Sequence, residues 1–86
     1  MPTFPVTVTV PLMFFKDHLN RGCGQTAKVI RETKTTFVVE LDQEAWTDLF
    51  TDAECYESFI GTEDYEGNEP IVGSAVRTLT RLRALM

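Results

Sequence analysis

The fold is decided by the stretch TFPVTVTV, residues 3–10. Its apolar side chains occupy every second position, at Phe4, Val6, Val8 and Val10. Alternation with a period of two is typical of a strand that buries one face. Pro11 follows at once, and proline is well suited to the first turn of a helix. The stretch therefore predicts a strand over residues 3–10 that leads directly into a helix.

After this strand, the spacing of the apolar residues predicts first a helix and then a hairpin. Residues 12–21 repeat apolar side chains at helical spacing and are followed by Gly22, a residue favoured where a helix ends. Residues 26–32 and 35–41 are rich in β-forming side chains and are joined by a short polar connection, so they predict a hairpin. In the second of these strands, the side chains expected to face the core are Phe37, Val39 and Leu41.

The second half of the chain is predicted to be helical. Asp42 is suited to cap a helix. Within it, Thr51 and Glu54 have the spacing of a capping box, so two short helices that meet near Thr51 are an alternative to one continuous helix. After a polar loop over residues 61–69, Pro70 marks the start of a last helix. The predicted apolar face of the earlier segment holds Trp46, Leu49, Ala53, Tyr56 and Ile60. That of the last helix holds Val72, Val76, Leu79 and Met86.

The predicted order of elements is β-α-β-β-α-α. Because a helical crossover separates the first two strands, they should run in the same direction, and the third can lie between them, antiparallel to both. We therefore expect an α+β fold, with a single domain over residues 1–86 and a three-stranded, mainly antiparallel sheet packed by helices. A core of this size has little reserve of stability, so we also expect a homodimer.

The N-terminal region has neither a basic leader nor a small-residue cleavage site, and the chain has no run of apolar residues long enough to span a bilayer. These features predict a cytoplasmic location without membrane contact. In that reducing compartment, Cys23 and Cys55 are expected to be free thiols.

Acidic charge is concentrated in the middle of the chain. The net charge is −5, yet between Lys34 and Arg77 there are eleven acidic residues and no basic one. Three of these acids recur at every fourth position of the predicted helix after Asp42, and we call them the acidic stripe: Glu44, Asp48 and Asp52. Like charges at this spacing destabilise a helix, so something should neutralise the stripe.

Two sources of neutralisation are open. The bases of the last helix could pair with the stripe inside the fold, namely Arg77, Arg81 and Arg83. Alternatively, the stripe could bind a basic partner, such as a nucleic-acid-binding protein. Direct binding of nucleic acid is disfavoured, because the sequence pI is about 4.7 and the basic patch at Lys28, Arg31 and Lys34 is small.

An acid, an imidazole and a thiol fall within residues 17–23, which makes His18 and Cys23 weak candidates for a nucleophilic site. No glycine-rich elbow or other oxyanion donor accompanies them. With Cys55 they could supply three zinc ligands, but no paired cysteine spacing supports a zinc site. The polar loop over residues 62–69 does not match a calcium-binding loop. The sequence therefore predicts no metal, no cofactor and no catalytic residue.

Phe14 lies four residues before His18 and away from the main apolar stripe of its predicted helix. Either this helix is buried on two faces, or Met13 and Phe14 form an exposed apolar patch that contacts a partner. The sequence thus favours a non-enzymatic protein-binding or adaptor domain, with partner-binding residues at the acidic stripe and Phe14. Two alternatives are a small enzyme or ligand-binding protein that uses the region of His18 and Cys23, and a purely structural homodimer subunit.

Overall fold

The computed structural model describes residues 2–86, and it contains one three-stranded sheet and three α-helices. The elements follow in the order β1 (Val6–Pro11), α1 (Leu12–Asn20), β2 (Lys28–Glu32), β3 (Thr36–Leu41), α2 (Gln43–Glu57) and α3 (Glu69–Arg83). A short 3-10 helix, Glu63–Tyr65, lies between α2 and α3. The predicted α+β fold and its element order are confirmed. Across residues 2–86, no helix has the length and apolar character needed to cross a membrane.

The sheet is built around β3, which pairs with β1 on one side and with β2 on the other, antiparallel to both. Val8 lies opposite Val39 and Val10 opposite Phe37, so the apolar positions of the two strands share one face. The three core residues predicted for β3 are all buried. In contrast, β2 is an edge strand whose side chains are all exposed.

Helix α1 is buried on two faces, because it lies between the sheet and the other two helices. On one face, Phe15 contacts Phe37 of β3, with ring centroids 5.2 Å apart. On another, Phe14 contacts Tyr56 of α2 at 5.3 Å, and its backbone N–H donates a hydrogen bond to Oγ of Ser74 in α3. The prediction of Phe14 as a partner-binding residue is therefore wrong for this fold, since its side chain is 0% exposed.

Helix α2 runs without a break, so the alternative of two short helices that meet near Thr51 is wrong. The apolar side chains Trp46, Leu49 and Ala53 stay on one buried face throughout, and nothing in that pattern requires a new start. The predicted cap is confirmed, because the Asp42 carboxylate accepts a hydrogen bond of 2.7 Å from the N–H of Ala45. A complete helix keeps both ends of the acidic stripe on one rigid element.

Helix α3 begins one residue before Pro70 and packs against α1, α2 and β1. Val72 and Leu79 are buried as predicted, whereas Met86 lies beyond the end of the helix and is exposed. The buried face also includes two polar side chains, Ser74 and Thr78, together with Ala75 and Leu82.

Candidate functional site

The last turn of α1 places an imidazole inside the protein. His18 is only 1% exposed and lies beside the rings of Phe14 and Phe15. Its Nδ1 atom is 2.6 Å from Oδ2 of Asp52 on α2. This hydrogen bond joins the two helices, and it removes Asp52 from the solvated acidic surface on which the sequence placed it.

Asp52 also contacts Arg21, which follows the end of α1. The guanidinium Nη1 donates to Oδ1 at 3.1 Å and Nη2 donates to Oδ2, while Nε donates to Asp17 at 2.8 Å. Burial by itself would raise the pKa of Asp52, but the hydrogen bonds from Arg21 and His18 prevail and lower it below the usual value. The hydrogen bond to Asp52 likewise raises the pKa of Arg21. Asp52 is therefore an anion at neutral pH.

Tyr56 extends this network along α2. Its hydroxyl donates a hydrogen bond of 2.8 Å to the Asp17 carboxylate, and Arg21 lies over its ring. Burial, followed by the hydrogen bond to Asp17, raises the pKa of Tyr56 to about 12. The phenol therefore remains a neutral donor under physiological conditions.

The charge on Asp52 determines the tautomer of His18. An ionised carboxylate only accepts hydrogen bonds, so Nδ1 must carry a proton, and in the neutral imidazole Nε2 then presents a lone pair. Nε2 is buried, and no group within residues 2–86 forms a hydrogen bond with it. The backbone of Gly24 packs closely against this edge of the ring: a Cβ atom there would lie 3.3 Å from Nε2 and 3.1 Å from Cδ2.

Cys23 lies next to this imidazole. One ligand atom each of His18, Cys23 and Asp52 lie within 4.8 Å of one another. They line an open cleft of about 490 Å³, together with Gly22, Asp48, Thr51 and Cys55. The structure thus brings together His18 and Cys23, the two weak candidates from the sequence, and adds Asp52, which the sequence assigned to a different surface. Cys55 lines the same cleft but lies outside the cluster of three.

Glu44 and Asp48, the remaining residues of the acidic stripe, are exposed on α2. Within residues 2–86, neither takes part in a salt bridge. Internal neutralisation by the last helix is not what the structure shows, because Arg83 alone of its three arginines forms a salt bridge in the described chain, and its partner is Glu57. Within residues 2–86, only Asp52 of the stripe is neutralised, and the positive charge is that of Arg21, just after α1.

A separate apolar groove of about 290 Å³ lies beside the stripe. It is lined by Trp46, Thr47, Phe50, Thr51 and Met86. Phe14, which the sequence assigned to partner contact, does not line it. The groove and the stripe share helix α2.

Comparison of the chain with protein-family models, with curated proteins and with solved structures found no match. Evidence for its function therefore comes from the geometry of the described residues. It is a small α+β domain with a buried histidine–carboxylate pair and an acidic helix whose charge is compensated only at its C-terminal half.

Proposed function

We propose that the chain is a non-enzymatic protein-binding domain that uses the exposed side of α2 to bind a basic, amphipathic segment of a partner protein. The observation that carries this proposal is the pair Glu44 and Asp48, two exposed acids one helical turn apart that have no salt bridge within residues 2–86. A nucleic-acid-binding protein is one source of such a segment, since its surface carries the clustered lysine and arginine side chains that complement α2.

Charge on α2 is the first support. The helix carries five acids and no base. Asp52 is paired with Arg21, and Glu57 with Arg83. The other three acids of the helix form no salt bridge within residues 2–86: Glu44, Asp48 and Glu54. Each like-charged pair at this spacing is unfavourable by about 0.2 to 0.5 kcal/mol. A basic partner would remove that repulsion, and the attraction would also accelerate association.

The apolar groove is the second support. Charged groups at a rim contribute mainly to the rate and specificity of association, whereas buried apolar side chains contribute most of the affinity. Phe50 and Met86 offer apolar surface to the groove, whereas Trp46 is only 3% exposed at its wall. Thr47, which also lines the groove, directly precedes Asp48 along α2. A segment with basic side chains on one face and apolar side chains on the other fits both features. Asp52 and Phe14 are excluded from this contact, because one is neutralised and the other is buried.

Trp46 makes the proposal directly measurable, since it is the sole tryptophan of the chain and lines the groove. The probe is a synthetic helical peptide with lysines on one face and leucines on the other. We expect its titration to change the tryptophan fluorescence, and we expect Glu44→Lys/Asp48→Lys to weaken binding at least tenfold. The matched control is Glu63→Lys/Asp64→Lys, which makes the same change in net charge away from α2 and should alter the affinity less than threefold.

Equal weakening in both double variants would show that only the net charge matters, and the proposed binding face would be wrong. Unchanged binding in the Glu44→Lys/Asp48→Lys protein would refute it as well. Capture of partners from a cell lysate with the same three proteins then identifies the natural ligand, which should be basic and retained less strongly at high salt.

A second candidate, the structural homodimer, is favoured by the edge strand β2. Val29 and Ile30 are 43% and 52% exposed there. If two copies pair antiparallel about Ile30, Lys28 of each lies opposite Glu32 of the other, so the charges are complementary. We expect Ile30→Lys to convert a dimer into a monomer in light scattering. Ile60→Lys, at an equally exposed isoleucine remote in sequence from β2, should leave the dimer intact.

A further inference from the structure

The two nitrogens of the His18 imidazole differ in their hydrogen bonding. Asp52 holds the protonated Nδ1, while the buried Nε2 has no hydrogen-bond partner within residues 2–86. A carboxylate that binds the far nitrogen of a metal-ligating histidine is a recurrent arrangement, because it fixes the tautomer and makes the ligating nitrogen more basic. The free lone pair on Nε2 is the form of histidine that binds a metal ion.

Cys23 supplies a second ligand of suitable chemistry. In a tetrahedral zinc site, a histidine nitrogen and a cysteine sulfur lie about 3.6 Å apart, given bond lengths of about 2.1 and 2.3 Å. One nitrogen of the His18 ring, Sγ of Cys23 and a carboxylate oxygen of Asp52 lie within 4.8 Å of one another. Because the Cys23 side chain is only partly buried, rotation about its χ1 bond can bring the sulfur within reach.

The charge around the cleft favours a cation. Among residues 2–86, the lining holds the carboxylates of Asp48 and Asp52 and no lysine or arginine. Asp52 is paired with Arg21, so the exposed charge of the lining is that of Asp48. A smaller hollow shares Gly22, Cys23 and Asp48 with the cleft and is also lined by Glu44. The carboxylates of Asp48 and Glu44, which form no salt bridge within residues 2–86, attract a divalent metal ion.

We propose that Nε2 of His18 and Sγ of Cys23 bind a borderline-soft divalent metal ion of the Zn²⁺ class. Binding releases the thiol proton of Cys23 to solvent, and the neutral imidazole enters without proton loss. Water completes the coordination. Asp52 is a positioning residue, because it accepts the hydrogen bond of Nδ1, the opposite nitrogen of the ring.

Co²⁺ is the probe, since a cobalt–thiolate bond gives charge-transfer absorption in the near ultraviolet. We expect the full chain to bind one equivalent with this band. Cys23→Ser should abolish the band, whereas Cys55→Ser, the matched control at the other thiol of the cleft, should retain it. His18→Asn keeps a donor toward Asp52 but removes Nε2, so we expect at least tenfold weaker binding.

A measurement on the unmodified protein guards against misfolding of the His18→Asn variant. In ¹⁵N-labelled protein, the Nε2 resonance of His18 should shift on addition of Zn²⁺, while Nδ1 remains protonated. A band that survives in Cys23→Ser, a band that is lost in Cys55→Ser, or an unmoved Nε2 resonance overturns the proposal. Rapid alkylation of Cys23 that Zn²⁺ does not slow would overturn it too, in favour of a reactive thiol.

Discussion

Replacing Asp52 with alanine removes the contact that joins α1 to α2 at the candidate site. The bond from Nδ1 of His18 is 2.6 Å long, and its donor residue is 1% exposed. Loss of the acceptor leaves a buried nitrogen unsatisfied, at a cost of about 1 to 3 kcal/mol. The salt bridge to Arg21 involves a side chain that is 40% exposed, and such a pair contributes about 0 to 1 kcal/mol.

Together these losses predict that Asp52→Ala lowers the free energy of unfolding by about 1 to 4 kcal/mol. A chain of this length has roughly 4 to 13 kcal/mol in total, so the loss is a large fraction. Urea denaturation at pH 7, followed by circular dichroism, measures the loss. With a slope of about 1 kcal/mol per molar urea, the midpoint should fall by about 1 M or more.

Asp48→Ala is the matched control, because Asp48 lies one turn earlier on the same helix and is exposed without a salt bridge in the described chain. Its effect should stay within about 0.5 kcal/mol. If the two variants lose equal stability, the bond between His18 and Asp52 does not hold the helices together, and the site described above is wrong.

The effect of Asp52→Ala should also depend on pH. In the fold, burial opposes ionisation of Asp52, but its hydrogen bonds to Arg21 and His18 prevail and lower its pKa. A lowered pKa contributes stability that is present above the unfolded value of about 3.9 and is lost as the pH falls through the folded value. The difference between the wild type and Asp52→Ala should therefore shrink below about pH 4.

Three further predictions concern the surroundings of the site, and urea denaturation tests each of them. Gly24→Ala should lower the free energy of unfolding by about 2 kcal/mol or more, because its φ is +68° and a Cβ would crowd the buried imidazole. Its control is Gly22→Ala, which has φ +81° and open space around it and should lose only about 1 kcal/mol. Tyr56→Phe should lower the free energy of unfolding by about 0.5 to 1.5 kcal/mol, because it removes the hydrogen bond to Asp17. The raised pKa of Tyr56 stabilises the fold below about pH 10, and this stability is lost as the pH rises to about 12. Tyr56→Phe should abolish that alkaline loss. Ser74→Ala should cost about 1 to 3 kcal/mol, because it leaves the buried N–H of Phe14 without its acceptor. The first prediction is wrong if the two glycine variants lose equal stability. The second is wrong if Tyr56→Phe loses stability at alkaline pH as the wild type does. The third is wrong if Ser74→Ala is as stable as the wild type.

The fold could be predicted from sequence where its signals are local. Period-two alternation located β1 and β3, and Asp42 correctly marked the start of α2. Strand order followed from connectivity, because a helical crossover and a hairpin leave few arrangements of three strands. The burial of Phe14 could not be predicted in this way, since its ring packs on Tyr56 of α2 and its backbone N–H bonds to Ser74 of α3, both far away in sequence.

The candidate site was predicted only in part, for a related reason. His18 and Cys23 were noticed because they are close in sequence, but their third partner is 34 residues from His18. A usable signal for Asp52 did exist: it is preceded three residues earlier by Leu49 and followed by Ala53, both fully buried. A helical residue between such neighbours lies at the boundary of the core, where a carboxylate requires partners.

The two proposed binding functions should oppose each other, because Asp48 belongs to both surfaces. It lines the cleft of His18 and Cys23, and it lies one turn from Glu44 on the acidic face. A divalent ion bound by one thiolate adds one net positive charge near the face that attracts a basic segment. Between exposed charges this is worth on the order of 0.5 to 1 kcal/mol, or a two- to fivefold weakening of peptide binding at low salt. Linkage requires the peptide to weaken metal binding by the same factor, so titrations in both orders must agree. Cys23→Ser should abolish the coupling yet leave peptide binding intact, whereas Glu44→Lys should weaken peptide binding yet leave the cobalt–thiolate band in place. If either single variant eliminates both activities, the two surfaces are one site, and the separation of groove from cleft is incorrect.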